Sequence, residues 1–346
     1  MRHALSLGLR SLGATGKNPA VGCVLAKNDC VIAVGSTGEG GIPHAEAQAL
    51  AMAGDRARGA TAYVTLEPCC HHGRTAPCAD ALIAAGVVRA VTAIEDPDPR
   101  VRGRGHERMR QAGMEVETGI MDDLARRDLA GFLSRIERGR PHVLLKLAVS
   151  ADGMIASAPG LRTAITGEEA NRRTHLMRSR SDAIMVGVRT VKTDDPSLAC
   201  RLPGLEHRSP IPVIVDGSLT APVTARLFAS ARQRPLMILT AQSGSREHEQ
   251  AGAEIISCPA IAPGRVELAG GLERLAERGV NRLLVEGGAN LAAQLIAEDL
   301  VDEIALFTSP KKLGAQGVPA NLDLNAFRRT REETLGDDVL THYERR

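Results

Sequence analysis

The chain has 346 residues, 43% hydrophobic and 24% charged, which is the balance of a globular protein and the length of two ordinary domains. Forty-three basic against forty-one acidic residues leave a net charge of +2, so nothing in the charge asks for a polyanionic partner. With no Trp, two Tyr and four Phe, the chain lacks the rings on which single-stranded nucleic acid stacks, and small molecules are the expected ligands.

Residues 1–22 read as an amphipathic helix running into a turn, without a signal-peptide pattern. No stretch approaches the roughly 18 apolar residues of a membrane span, so no membrane partner and a cytoplasmic location are expected. Strands are expected over 21–26, 62–66, 88–94, 143–149, 183–188, 213–216, 236–240, 282–286 and 303–307. Helices are expected over 45–53, 79–85, 123–136, 168–179, 268–278 and 291–297. The alternation argues for an α/β fold with largely parallel pairing. Charge, Gly139 and Pro141 in the ERGRPH segment mark a boundary, dividing the chain into domains 1–143 and 144–346.

Seven cysteines, an odd number, argue against a disulfide framework, and Cys69, Cys70 and Cys78 fall within ten residues. Pro43-His44-Ala45-Glu46, Pro68-Cys69-Cys70 and Pro77-Cys78 together suit one Zn2+ ion. A catalytic zinc takes three protein ligands and keeps one position open, and an imidazole with two thiolates balances the dication. The ligands are read as His44, Cys69 and Cys78, with Cys70 as the alternative to Cys69. Glu46 completes no ligand set; it is placed to move protons between water and a leaving amine. His-x-Glu followed by Pro-Cys and a second Cys is the signature of zinc nucleobase deaminases. A structural zinc or a chance group of buried cysteines is the plainer alternative.

The second half carries softer signals. The strand pattern RLLVE, the pair Gly287-Gly288 and a following helix make a strand–turn–helix whose amides suit a phosphate. Gly103-Arg104-Gly105 lacks the third glycine of a dinucleotide fingerprint, and Gly16-Lys17 lacks the rest of a P-loop.

PHAE, TLEPCCHHGRTAPC and NPAVGCV closely resemble the deaminase domain of the bifunctional riboflavin-biosynthesis deaminase/reductases. KLAVSADGMIA, SDAIMVGVRTVKTDDPSLACR and LLVEGGANLAAQL resemble the reductase domain of the same family. The resemblance implies a cytidine-deaminase-like layered α/β domain followed by a dihydrofolate-reductase-like α/β domain. It implies hydrolytic deamination of a diamino-pyrimidinone ribosyl phosphate, then NADPH-dependent reduction of ribosyl to ribityl, in a homo-oligomer joined through the reductase domain. Substrate contact in the first domain is implied at Asn18 and by the HHGRT loop with His71 and His72. In the second, Val149, Thr190, Asp194, Gly217 and the turn Gly288, Ala289, Asn290, Leu291, Ala292, Ala293 and Gln294 fall where the family meets the nucleotide. Arg178, Leu198, Arg201 and Glu286 fall on the substrate side, and Lys146 is assigned with Asp194 nearest the reacting carbon.

Two departures stand out. The family's longer, histidine-bearing loop before PHAE is here the glycine-rich GSTGEGGI. Its Ser-x-Trp-Ile-Thr segment reads Arg162-Thr163-Ala164-Ile165-Thr166, which admits a second expectation: a deaminase whose reductase-like domain has lost activity.

Overall fold

The computed structural model describes residues 1–71 and 76–346. The chain divides into two compact units, Met1–Gly139 and Arg140–Arg346.

The first unit runs α1 (Arg2–Ser11), β1 (Gly22–Lys27), β2 (Cys30–Ser36), α2 (Ala45–Ala53), β3 (Thr61–Val64), α3 (Cys78–Ala84), β4 (Arg89–Thr92), α4 (Arg104–Gln111), β5 (Glu115–Thr118), α5 (Asp122–Asp128) and α6 (Ala130–Arg138). Its sheet has the order β2-β1-β3-β4-β5, antiparallel through β3 and parallel from β3 to β5. Asn28 and Asp29, both at positive φ, form the tight turn that a two-residue hairpin between β1 and β2 requires. The core joins Leu25, Ala49, Leu82, Ala90 and Met109.

Small residues set how closely α2 approaches the sheet. Ala45, Ala49 and Ala53 present no bulk, and a Cβ on Gly35 of β2 would lie 2.1 Å from the Ala45 carbonyl oxygen. This contact seats the first turn of α2, and His44 and Glu46 with it. The helix expected over 123–136 is two helices, α5 and α6, hinged where Leu129 leaves helical geometry (φ −94°, ψ 7°). α4 (RGHERMRQ) and β5 (EVET) were not expected, because each is too polar to show an apolar period.

The second unit runs β6 (His142–Val149), β7 (Met154–Ala156), α7 (Glu168–Ser179), β8 (Ala183–Gly187), α8 (Val188–Asp194), β9 (Ile211–Val215), α9 (Arg226–Ala229), β10 (Leu236–Thr240), α10 (Arg246–Gln250), β11 (Ala253–Ser257), β12 (Ala260–Ala262), β13 (Arg265–Val266), α11 (Leu268–Glu277), β14 (Arg282–Val285), α12 (Ala289–Ala297), β15 (Glu303–Thr308), β16 (Val318–Pro319), β17 (Phe327–Leu335) and β18 (Asp338–Arg345). A nine-stranded sheet has the order β11-β10-β9-β8-β14-β6-β15-β18-β17, parallel from β11 to β15 and closed by two antiparallel strands. Successive residues of β8 face opposite layers: Met185 joins one apolar cluster, Ile184 and Val186 the other. Burial on both faces explains the short, wholly apolar runs in the sequence. β17 (FRRTREETL) forms an exposed, charged edge, which discourages edge-to-edge pairing and also hid the strand from an apolar-pattern reading.

Replacement of Gly35 by Ala is expected to push α2 off the sheet. It should lower zinc retention and the first unit's unfolding transition while the second unit's transition stays in place. Zinc analysis and two-transition calorimetry of the full chain check this.

Candidate active sites

Three chain segments converge beside α2. His44 is the extended residue preceding that helix, Cys78 is the first residue of α3, and Cys69 lies in the connection after β3. His44 Nδ1 is 3.2 Å from Cys78 Sγ and 3.6 Å from Cys69 Sγ, and the Cys78 amide donates to Cys69 Sγ at 3.3 Å. The three side chains offer ligand atoms within 4.8 Å of one another. Cys70 turns away, its Sγ 3.6 Å from the Arg100 carbonyl oxygen.

The two sulfurs share their protons unequally. Cys69 is pulled down to about 4, first by the hydrogen bond from the Cys78 thiol and then by His44 and the Cys78 amide; Cys78 is pushed up in consequence. A dication would displace the proton that the two sulfurs share. A soft, anionic two-sulfur, one-nitrogen donor set fits zinc.

Glu46 sits in the first turn of α2, only 4% exposed. Burial, followed by the charge on Cys69, pushes its carboxyl up to about 7. A carboxyl poised there can accept a proton and return it near neutrality. His44, Glu46 and Cys69 line a cavity of about 440 Å3 that also takes in Asn18, His71 and Asp96. Asn18 donates Nδ2 to the Gly41 carbonyl, so the glycine-rich 35–42 stretch closes directly onto it. His71 keeps a buried Nδ1 without a partner among the described residues. His72 and the rest of the HHGRT loop lie outside the described residues.

Two acids here were not singled out from the sequence. Glu67, wholly buried, accepts from the amides of Asp96 and Gly103 with one oxygen and of Gly105 and His106 with the other, at 2.8–3.2 Å. It therefore caps α4 from a position two residues before Cys69 and fixes the ligand-bearing connection to the next loop. Those four amides also account for its proximity to Glu95 and His106, a grouping that otherwise resembles a metal site. The bonded partners lie 29 to 39 residues away, a separation that no local pattern reveals. Asp96 is buried against the cavity, and its carboxyl is pushed up to about 7 by burial.

In the second unit, the assigned residues gather at the C-terminal ends of the parallel strands, where ligand sites of such sheets lie. Glu286 follows β14 and forms a two-pronged pair with Arg178 of α7, at 2.7 and 2.8 Å. Burial works to raise Glu286, but the bonds and charge of Arg178 outweigh it and hold the carboxyl below its usual value. Lys146, midway along β6, lies over the Phe307 ring at 5.3 Å; burial lowers its pKa against the opposing pull of Glu286. Asp194 ends α8, and burial raises its carboxyl while the Arg162 charge opposes the shift. The electrostatic partners of Lys146 are thus Glu286 and Arg178, and that of Asp194 is Arg162.

Arg178 also donates to the Ala199 carbonyl, and the Arg201 amide lies 3.2 Å from His175 Nδ1, so Leu198 and Arg201 belong to the same loop system. Leu198 is buried at φ +52°, a strained conformation for a branched side chain. On the nucleotide side, Thr190 and the Gly288 turn are brought together: a Cβ on Gly288 would meet only the Thr190 hydroxyl, at 3.9 Å. Gly288 precedes α12, whose first turn has no side-chain cap, and the open space beside it fits a phosphate. Within that turn Gly288, Asn290 and Ala293 are exposed, whereas Leu291 and Ala292 are buried in the core and could meet a ligand only through backbone. Gln294 is spent on the Val266 carbonyl and Glu298. Val149 ends β6, buried, and a Cβ on Gly217 would run into the Gly264 backbone at 2.3 Å, so that glycine is required by close packing.

Residues 1–94 match the cytidine and deoxycytidylate deaminase zinc-binding region, and residues 141–341 match the RibD C-terminal domain. The riboflavin biosynthesis protein RibD of Escherichia coli is 37% identical over 99% of this chain and 97% of its own length. The chain belongs to the RibD family. The RibD of Chlamydia muridarum is 40% identical over 99% of the chain and 95% of its own length. Among solved structures, Acinetobacter baumannii RibD superposes with a TM-score of 0.91 at 35% identity, covering 100% of this chain and 97% of that one. The two-domain α/β fold class expected from the sequence holds, and the chain is a deaminase and reductase of riboflavin biosynthesis.

Removal of the Glu67 carboxylate by Glu67→Ala leaves four amides without their acceptor. An unpaired buried group costs about 1–3 kcal/mol, so a loss of at least about 3 kcal/mol is expected, with Glu67→Gln milder. Urea unfolding of the full chain, followed at the first transition, reads the difference.

Proposed function

We propose that the first unit hydrolytically deaminates 2,5-diamino-6-ribosylamino-4(3H)-pyrimidinone 5′-phosphate and that the second reduces the product's ribosyl chain to ribityl with NADPH. The observation that carries the reading is the placing of His44, Cys69 and Glu46 on one enclosed wall, with Cys78 in bonding distance of both ligands. A solved structure whose description prints those two activities, diaminohydroxyphosphoribosylaminopyrimidine deaminase and 5-amino-6-(5-phosphoribosylamino)uracil reductase, comes from Thermotoga maritima. It superposes with a TM-score of 0.88 at 30% identity, covering 100% of this chain and 97% of that one.

Zinc held by His44, Cys69 and Cys78 would supply the Lewis acidity that makes water a nucleophile near neutral pH. The Glu46 carboxylate takes the proton that water loses and delivers it to the departing amine nitrogen, a double duty that suits a carboxyl near 7. Asp96, on the same wall, offers an acceptor oxygen to the N–H edge of a pyrimidinone ring. The glycine-rich stretch is held to Asn18 at the cavity lining by the Gly41 carbonyl.

In the second unit NADPH would supply the hydride, and the protein positions the partners. Thr190, Asp194 and the Gly288 turn flank the proposed nucleotide site, with Val149 at the end of β6 and Gly217 just after β9. Arg201 faces the substrate's phosphate, where a guanidinium fork matches its oxygens, and Arg178, whose own fork Glu286 occupies, adds positive charge beside it. Glu286 holds Arg178 in place, and Lys146 keeps a proton available at Nζ beside the reacting chain. The 162–166 segment has a defined course without a tryptophan: Thr163 Oγ1 accepts from the Ser157 amide, and the Ala164 carbonyl accepts from Lys311 Nζ. The same reading has the enzyme act in the cytoplasm as a homo-oligomer joined through the reductase domain; no helix of the described residues is long and apolar enough to cross a membrane.

Mass spectrometry of the product, with and without NADPH, tests both halves. The expected result is exchange of an amino group for oxygen in either case, and added hydrogen only with NADPH. Glu46→Gln should abolish the exchange and still reduce supplied deaminated substrate. Deamination without reduction would contradict the second half and make this a deaminase with a disabled reductase domain.

A further inference from the structure

The loop that follows α8 is held residue by residue, and Arg201 is held by His175 of α7. Arg234 Nη2 donates to the Ser197 carbonyl at 2.5 Å, and Arg178 Nη1 donates to the Ala199 carbonyl at 2.9 Å. The Cys200 amide donates to the Ser209 hydroxyl at 3.0 Å, and its buried Sγ turns to the His175 carbonyl at 3.4 Å. Arg201 is exposed and meets the His175 ring twice: its amide lies 3.2 Å from Nδ1 and its Nε 3.3 Å from Nε2. A neutral imidazole has one acceptor nitrogen, and in either tautomer that nitrogen faces an N–H of Arg201. Burial, then Arg178 and Arg201, hold the ring below its usual pKa against Glu286 and the Ala199 carbonyl, which favours the neutral form. Among the described residues no carboxylate pairs with Arg201, in contrast to Arg178, whose fork Glu286 fills.

An exposed arginine on a loop samples many rotamers, and fixing it beforehand lowers the ordering cost of binding. We propose that His175 is a positioning residue for the reduction: its unprotonated ring fixes Arg201 by the amide or by Nε and leaves the Nη1 and Nη2 edge of the guanidinium to the substrate. The inference rests on the function proposed above, in which Arg201 faces the substrate's phosphate. His175 acts through Arg201 and not on the reacting carbon. His175 and Arg178 lie three residues apart on one face of α7, so a single helix sets both arginines, one on its own backbone and the other through the imidazole.

The test measures NADPH-dependent reduction of supplied deaminated pyrimidine ribosyl phosphate by the full chain. His175→Phe keeps a ring of similar size and removes the acceptor. It is expected to raise KM for that substrate about fivefold, the scale of one hydrogen bond, with kcat and the KM for NADPH unmoved. The steady NADPH value reports that the second unit is folded. His175→Asn, which keeps an acceptor near the place of Nδ1, should restore most of the affinity. Arg201→Ala should raise the same KM, and adding His175→Phe to it should raise it no further, because the two residues act as one unit. An unmoved KM in His175→Phe, equal losses in the Phe and Asn variants, or a full further loss in the Arg201→Ala background would each overturn the assignment. An unaltered chain that reduces nothing with NADPH, or an Arg201→Ala chain with an unmoved KM, sinks the function proposed above instead, so the two failures are separable.

Discussion

Two sulfurs and an imidazole nitrogen brought within 4.8 Å of one another are the constraint around which the first unit is organised. Left alone, two thiolates so close would repel, and the fold answers with a shared proton, a helix-terminal amide directed at Cys69 and a neighbouring imidazole. The ligands come from three connections, so each needs its own anchor. The close contact of Gly35 with α2 sets His44, the bonds of Glu67 set the Cys69 connection, and Pro77 starts the helix on which Cys78 stands. Glu46 inherits its depth from the same helix, and the raised pKa that suits it to proton transfer follows from burial next to the thiolate.

The second unit solves a different problem. Its parallel sheet is buried on both faces, so charge kept within it is paired: Glu286 after β14 with Arg178, while Lys146, midway along β6, has its pKa lowered by burial against the opposing pull of Glu286. An ion pair this sheltered adds little net stability, because desolvation offsets its attraction. What it gives is a fixed arginine beside the loop that carries Leu198 and Arg201. The strained Leu198 backbone lies in that loop, where substrate contact is assigned.

The legible parts of the chain were those with local chemistry. Pro-His-Ala-Glu and the Pro-Cys pairs disclose a metal because ligand spacing is a short-range property. The central strands disclose themselves because burial on two faces writes an unbroken apolar run. Glu67 was illegible because its four partners are distant amides, which leave no trace in residue type. Asp96 was missed because its raised pKa comes from burial, which a sequence does not state. The hinge at Leu129 and the polar elements α4, β5 and β17 were missed because the amphipathic period either continues across a break or never appears. The choice between Cys69 and Cys70 was open on spacing alone; tertiary packing turns the second towards the Arg100 carbonyl.

X-ray absorption at the zinc edge of the loaded full chain tests the central claim most directly. An open catalytic site predicts two sulfur ligands at about 2.3 Å and two light-atom ligands at about 2.0–2.1 Å, one of them the His44 nitrogen and the other solvent. Three sulfurs around the metal would mean that Cys70 joins and closes the site. That result would contradict an account in which the fourth position is kept for chemistry.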